Sequence, residues 1–189
     1  MPPWVGPTPR QIRSFQCLQR LTVGNCENLK CLFFMETHRS LPELTSLVVF
    51  NCQELEQIVA ADEELVQLPD AGLYFPKLKH IEVYNCNKLK SLFPFVMVTM
   101  LPQLGTLRIL KATQLQEVFR HGPGDDITSK MEVKLPNLAG IRLDYLPNFV
   151  DICQGHKLHV FKLPALSISK CPKTDPSLRK IQVYGYWAR

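Results

Sequence analysis

Seven cysteines and five histidines are the side chains of this 189-residue sequence best suited to metal binding or nucleophilic chemistry, so their spacing comes first. No C-x-x-C pair occurs, and Cys26 and Cys31 are separated by four residues, so the common zinc spacing is missing. His156 and His159, in GHKLH, have neither a nearby cysteine nor an acidic partner at helical spacing, and the stretch reads as a solvated loop. HGPGDD, His121 to Asp126, sets glycines beside two acids. Those acids would repel phosphate, and a single Asp-Asp pair is no calcium loop, so it reads as surface loop. The phosphate-cradling G-x-x-x-x-G-K-[ST], the G-x-S-x-G elbow and the H-E-x-x-H zinc motif are all absent. The expectation is a protein with no catalytic residues, no cofactor and no metal.

The cysteines make sense once the elements holding them are considered. Asn25-Cys26, Asn51-Cys52 and Asn85-Cys86 each close a short alternating apolar segment, and that segment recurs. FQCLQRLTVGNCENLKCLF starts at Phe15, LPELTSLVVFNCQELEQIV at Leu41 and FPKLKHIEVYNCNKLKSLF at Phe75. LPQLGTLRILKATQLQEVF starts at Leu101 and LPNLAGIRLDYLPNFVDIC at Leu135. A sixth copy, VFKLPALSISKCPKT, starts at Val160, and a truncated seventh, DPSLRKIQVYGY, at Asp175. The second apolar strand position falls at Val23, Val49, Val83, Ile109, Leu143, Ile168 and Val183, at intervals of 26, 34, 26, 34, 25 and 15.

In [LI]-x-[VIL] the two apolar side chains share one face of a strand and the residue between them takes the other. A strand this short cannot stand alone. Stacked in parallel, such segments bury one continuous core and satisfy each backbone with its neighbour's. Leu18, Leu44, Leu78, Leu104, Leu138 and Leu163 should enter that core just ahead of each strand. The x-Pro steps at Pro42, Pro76, Pro102 and Pro136 predict an extended approach that no helix runs into. NKLKSLFPFVM admits one helical turn, limited by Pro94. A cysteine just past the strand is then a small buried side chain whose thiol can reach a loop carbonyl. Neighbouring strands lie ~4.8 Å apart, so a disulfide between stacked cysteines is conceivable, but a reducing compartment disfavours it.

The chain is 46% hydrophobic, enough for a real core, and Pro at 15 against Gly at 9 favours stiff turns. Net charge is +5, unevenly spread. Residues 1–100 carry 9 basic and 10 acidic side chains, and residues 101–189 carry 13 and 7. A half this mildly basic can favour acidic partners without being a nucleic-acid footprint. MPPWVGPTPR has no apolar signal-peptide core, and Leu92 to Val98 is too short to span a bilayer. The odd cysteine count and the lack of any N-x-[ST] site point to a reducing, cytoplasmic setting with no membrane partner. Ala60 to Gly72, AADEELVQLPDAG, falls in one of the long intervals and reads as a solvated acidic bulge or a contact for a basic domain.

VGNCENLKCLF, VFNCQELEQIV and VYNCNKLKSLF, with SISKCPKT as a decayed copy, resemble the leucine-rich repeat L-x-x-L-x-L-x-x-[NC]-x-L. More narrowly they resemble the C-x-x-L form found in plant intracellular nucleotide-binding immune receptors of the coiled-coil type. Ala112 and Leu146 replace the cysteine in two units. The resemblance implies an α/β leucine-rich-repeat solenoid, with short parallel strands on its concave face and irregular or short helical segments on its convex side. The repeat domain is expected over residues 15–184, after a poorly ordered extension at 1–14 and before a tail at 185–189. The resemblance also implies a non-catalytic protein-interaction module that recognises a pathogen effector or guarded host protein. It would also contact the receptor's own nucleotide-binding domain. The Met-Pro-Pro start and the short last unit read as marks of a fragment. A substrate adaptor of the F-box type is the alternative, and an upstream F-box would support it.

Binding is expected on the strand face turned from the core. Its inner row runs Thr22, Val48, Glu82, Arg108, Arg142, Ser167 and Gln182. The row after it runs Gly24, Phe50, Tyr84, Leu110, Asp144, Ser169 and Tyr184. Val48, Phe50, Glu82, Tyr84, Arg108, Leu110, Arg142 and Asp144 are the candidate contact residues, since exposed aromatics beside arginine make binding hot spots. Arg108 and Asp144 are placed to meet diagonally. Packing against a neighbouring domain or cross-strand pairing alone would also account for these residues.

Overall fold

Six parallel strands, each five residues long, pair in chain order: β1 (Arg20–Gly24), β2 (Ser46–Phe50), β3 (His80–Tyr84), β4 (Thr106–Leu110), β5 (Gly140–Asp144) and β6 (Ala165–Ser169). The structure is a computed structural model and describes residues 15–34, 41–60, 75–121, 132–160 and 163–179. The residue-for-residue register aligns Leu21, Leu47, Ile81, Leu107, Ile141 and Leu166 in one row. Val23, Val49, Val83, Ile109, Leu143 and Ile168 form the next inward row. Both rows are buried from β2 through β5, while Val23 and Ile168, on the edge strands, are only partly covered. The strand of the seventh unit, with Val183, Gln182 and Tyr184, lies outside the described residues, as do the predicted end segments 1–14 and 185–189.

The units of β2 to β5 each carry two tight turns, and both point their first and fourth residues into the core. Ahead of the strand, Leu44 N–H donates to Leu41 O at 3.1 Å, and the same bond recurs at Leu78–Phe75, Leu104–Leu101 and Leu138–Leu135. Proline sits second in each of these turns, where its fixed φ suits the bend. The x-Pro steps therefore open turns rather than prolong an extended approach: the residue before proline is extended, but the proline itself begins the reversal. After the strand, Leu55–Cys52, Leu89–Cys86, Leu115–Ala112 and Phe149–Leu146 close the second turn in the same way. Burying one such leucine is worth ~1.5–3 kcal/mol, and four turn residues per unit contribute alongside two strand residues.

Behind the sheet lie three two-stranded parallel pairs: Cys31–Phe34 with Gln57–Ala60, Phe93–Pro94 with Phe119–Arg120, and Glu132–Lys134 with Lys157–His159. Phenylalanine rings step through the space between sheet and back strands. Centroids are 5.6 Å apart for Phe33–Phe75, 6.4 Å for Phe75–Phe93 and 5.9 Å for Phe93–Phe119. Among the described residues helix is scarce: a 3-10 segment, Phe95–Met100, and a single α-helical turn, Pro176–Arg179. Pro94 precedes the 3-10 segment with φ −58°, so it launches this helix instead of limiting it.

Cys52, Cys86 and Cys171 are buried and Cys26 is half-buried. Each thiol donates to the carbonyl two residues earlier, at 3.5 Å for Cys26–Gly24, 3.4 Å for Cys52–Phe50, 3.6 Å for Cys86–Tyr84 and 3.1 Å for Cys171–Ser169. That carbonyl belongs to the last strand residue. Burial pushes the Cys86 thiol up to about 11 and that of Cys153 to about 12, which suits inert, structural thiols.

The solvated-loop reading of GHKLH fails at His156. The residue is 8% exposed, its ring stacked on Phe95 at 4.4 Å and tilted against His121 at 4.7 Å, so three units converge on it. The side chain of His159 lies outside the described residues, as do residues 122–126 of the HGPGDD stretch and residues 61–74.

Candidate binding face

Alternation along each strand turns one row away from the core: Thr22, Val48, Glu82, Arg108, Arg142 and Ser167, aligned residue for residue. Arg108 and Arg142 are exposed, and Val48 and Glu82 are half-buried. Arg108 reaches the carboxylate directly across the strand pair, Glu82, at 3.3 Å. The pair is exposed enough to contribute at most ~1 kcal/mol. The diagonal meeting of Arg108 with Asp144 does not form among the described contacts; the directly opposed carboxylate is the nearer partner.

One residue on, the strand-end row runs Gly24, Phe50, Tyr84, Leu110, Asp144 and Ser169, in the expected order. Phe50 is less available than its sequence position suggests. A Cβ built on Gly24 would sit 2.2 Å from Phe50 Cζ, so the far end of the ring lies against the glycine of β1. A side chain at Gly24 would push the end of the ring aside. Tyr84 is 37% exposed, whereas Leu110 and Asp144 are half-buried. Phe50, Tyr84 and Leu110 are thus side by side, but only Tyr84 is exposed.

The next row was not anticipated. Asn25, Asn51, Asn85, Lys111, Tyr145 and Lys170 all have positive φ, between 53° and 56°. In this left-handed conformation the chain turns from strand to second turn, and the residue's own N–H still donates to the neighbouring strand, as Asn51 does to Tyr84 O at 3.0 Å. Asparagine tolerates the conformation better than most L-residues, which cost ~1–2 kcal/mol there. The repeated Asn before Cys was the signal for the first three positions. The last three carry residues with no such preference, so no sequence signal marks them.

Side chains in this row divide in two. Asn51 Nδ2 donates to Asn25 Oδ1 at 3.0 Å and Asn85 Nδ2 to Asn51 Oδ1 at 2.8 Å, forming a ladder across the first three units. Lys111 instead donates to the Tyr84 hydroxyl at 3.0 Å with its ammonium 5.1 Å from the ring centroid. Lys170 donates to the Tyr145 hydroxyl and sits 3.6 Å from that ring's centroid. Tyr145 is 44% exposed.

A second set of charges links β2's unit to β3's at matching turn positions. Lys77 meets Glu43 at 2.6 Å, Lys88 meets Glu54 at 2.7 Å and Lys90 meets Glu56 at 2.6 Å. Among the described residues no group of three or more His, Cys, Asp and Glu is placed to hold a metal ion. No helix among them is long and apolar enough to cross a membrane.

A family model described as plant disease resistance protein RPS2-like leucine-rich repeats matches residues 3–69 and 63–179. The chain belongs to this family. Its units are therefore leucine-rich repeats. The chain is also 29% identical over 103 residues to a probable disease resistance protein of Arabidopsis thaliana, At4g27220. The match covers 53% of this chain and 11% of that relative, so the leucine-rich repeats here correspond to a small part of its length. No solved structure matches the chain.

Proposed function

We propose that this leucine-rich-repeat chain is a non-catalytic protein-interaction module of a plant innate-immune receptor, working in the cytoplasm. Its six-stranded sheet serves as the concave face of a solenoid. On this reading the face recognises a pathogen effector or a guarded host protein, and contacts the nucleotide-binding domain of a coiled-coil-type receptor in the resting state. Family membership and the relative's disease-resistance description support the receptor reading over that of an F-box adaptor. The observation that carries a binding role is the row Val48, Glu82, Arg108, Arg142: four registered side chains held at fixed strand spacing, with both arginines exposed. A rigid sheet presents such groups at little entropic cost on binding.

Photo-crosslinking tests this. A photoreactive residue replacing Phe50, Arg108 or Arg142 in the chain expressed in plant cells should capture a protein partner. One replacing Lys30 or Lys134, on the back surface, should not. Capture from the back surface alone would contradict the proposal.

A further inference from the structure

The rim of the sheet, where each strand ends, carries two lysine–tyrosine pairs, with Tyr84 in the strand-end row and Tyr145 one position later, in the positive-φ row. In each, a lysine at a positive-φ position donates to a tyrosine hydroxyl and lies over the tyrosine ring: Lys111 with Tyr84, and Lys170 with Tyr145. The phenol oxygen accepts the lysine's hydrogen, so its own hydrogen remains available to donate. Each pair therefore offers an ammonium and a phenol O–H side by side, two donors converging on one point. The ring holds the ammonium in place, so less side-chain freedom is lost when an anion arrives. All four side chains are exposed.

We propose that these pairs are two carboxylate-binding forks, and that the protein segment docking on this rim is acidic. This rests on the reading that the sheet face binds protein, and adds the chemistry of what it binds. The two forks lie two strand spacings apart, ~10 Å, so they suit two separate carboxylates. Arg142, exposed on the inner row of β5, adds positive charge between them, while Arg108 is already paired with Glu82. A nucleic-acid strand fits less well. On one strand of a duplex its phosphates recur every ~3.4 Å of helix axis and would pass over Glu82 and Asp144, which interrupt the basic surface, whereas two discrete carboxylates avoid both. The fork bonds are charge-assisted, the stronger kind.

The test is titration of the full chain at low salt with a fluorescent decaglutamate peptide, against decaglutamine and an oligothymidylate of equal length. Decaglutamate should bind and decaglutamine should not. Lys111→Ala with Lys170→Ala should weaken binding roughly tenfold, and Tyr84→Phe with Tyr145→Phe, which keeps rings and charges, by roughly threefold. Lys30→Ala with Lys134→Ala makes the same charge change on the back surface and should leave affinity within about twofold. The forks are overturned if the back-surface pair loses as much, if the tyrosine pair loses nothing, or if the oligothymidylate binds as tightly as decaglutamate. They are also overturned if the lysine pair instead abolishes self-association, which would give the rim to a second copy. Binding seen only after neutralising Asp62, Glu63, Glu64 and Asp70 would give it to the chain's own acidic stretch. A partner that crosslinks through Arg108 and keeps its affinity in the Lys111→Ala, Lys170→Ala variant would sink the forks alone. Failure of crosslinking from the whole face would sink the binding reading as well.

Discussion

The first three units and the last three use the same backbone turn for opposite purposes. At Asn25, Asn51 and Asn85 the left-handed residue turns its side chain along the sheet and bonds to its neighbour's. At Lys111, Tyr145 and Lys170 the φ is the same within three degrees, yet the side chains form exposed cation–ring pairs. The backbone needs only a residue that can be held at positive φ. The neighbouring strand's carbonyl and the buried turn supply the restraint, so the side chain is free to be structural in one half and available for contact in the other.

The halves also treat their acids differently. Glu43, Glu54 and Glu56 all meet lysines of the next unit. The hydrogen bond from Lys90, reinforced by its charge, holds Glu56 below the usual carboxylate range. In the later units burial dominates: it raises Glu117 and pushes Asp151 up to about 6, with the charge of Asp175 adding to the effect.

The largest expected effect falls on what both halves share. Phe93→Ala removes the ring between Phe75 and Phe119 and should cost about 3–5 kcal/mol, measured by urea unfolding. A single cooperative transition that shifts whole would show the halves to be one folding unit. A change confined to one half would break that.

Asn51→Ala removes both ladder bonds and places a less tolerant residue at φ 53°, so a loss of ~1–2 kcal/mol is expected, and Asn51→Gly should recover the conformational part. Lys111→Ala should stay within ~0.5 kcal/mol. Equal losses would erase the distinction between the halves.

The order and register of the strand rows were legible from the sequence because the apolar period is two and the same register recurs in every unit. Tyr84, Leu110 and Asp144 stand where alternation put them. What was not legible came from contacts between units. His156 is buried by Phe95 and His121, which no local spacing relates to it. Phe50 covers Gly24 one strand away, a pairing that the glycine at the matching position did signal in retrospect. Lys111, Tyr145 and Lys170 carry no mark of the left-handed turn they occupy, because the fold imposes it on residues that do not favour it.

A pH series separates the acids. Asp151 binds its proton more tightly folded than unfolded, so its contribution lowers stability as pH rises from ~4 to about 6 and the deficit is complete above that. Asp151→Asn should therefore raise the urea midpoint near neutrality, with the gain vanishing by about pH 4. Glu56 has the opposite sign: its lowered pKa adds stability above the unfolded value, lost as pH falls through the folded one. Glu56→Gln should lower the midpoint slightly near neutrality and leave it unchanged in acid. Parallel pH profiles for the two variants would contradict this contrast.

The smallest effect is expected from Lys88→Glu, which sets two carboxylates together at Glu54. A loss of under ~1 kcal/mol, removed by salt, should be seen in the melting temperature.

The division of labour along the rim is tested most directly by carbodiimide coupling of decaglutamate to the intact chain, read by mass spectrometry. The reagent adds no spacer, so coupling is fastest where a bound carboxylate is held against a lysine. Peptide attached at Lys111 and Lys170, and absent from Lys30, Lys79 and Lys134, is the expected result. Coupling spread evenly over the exposed lysines would show that the rim has no special claim on an acidic partner.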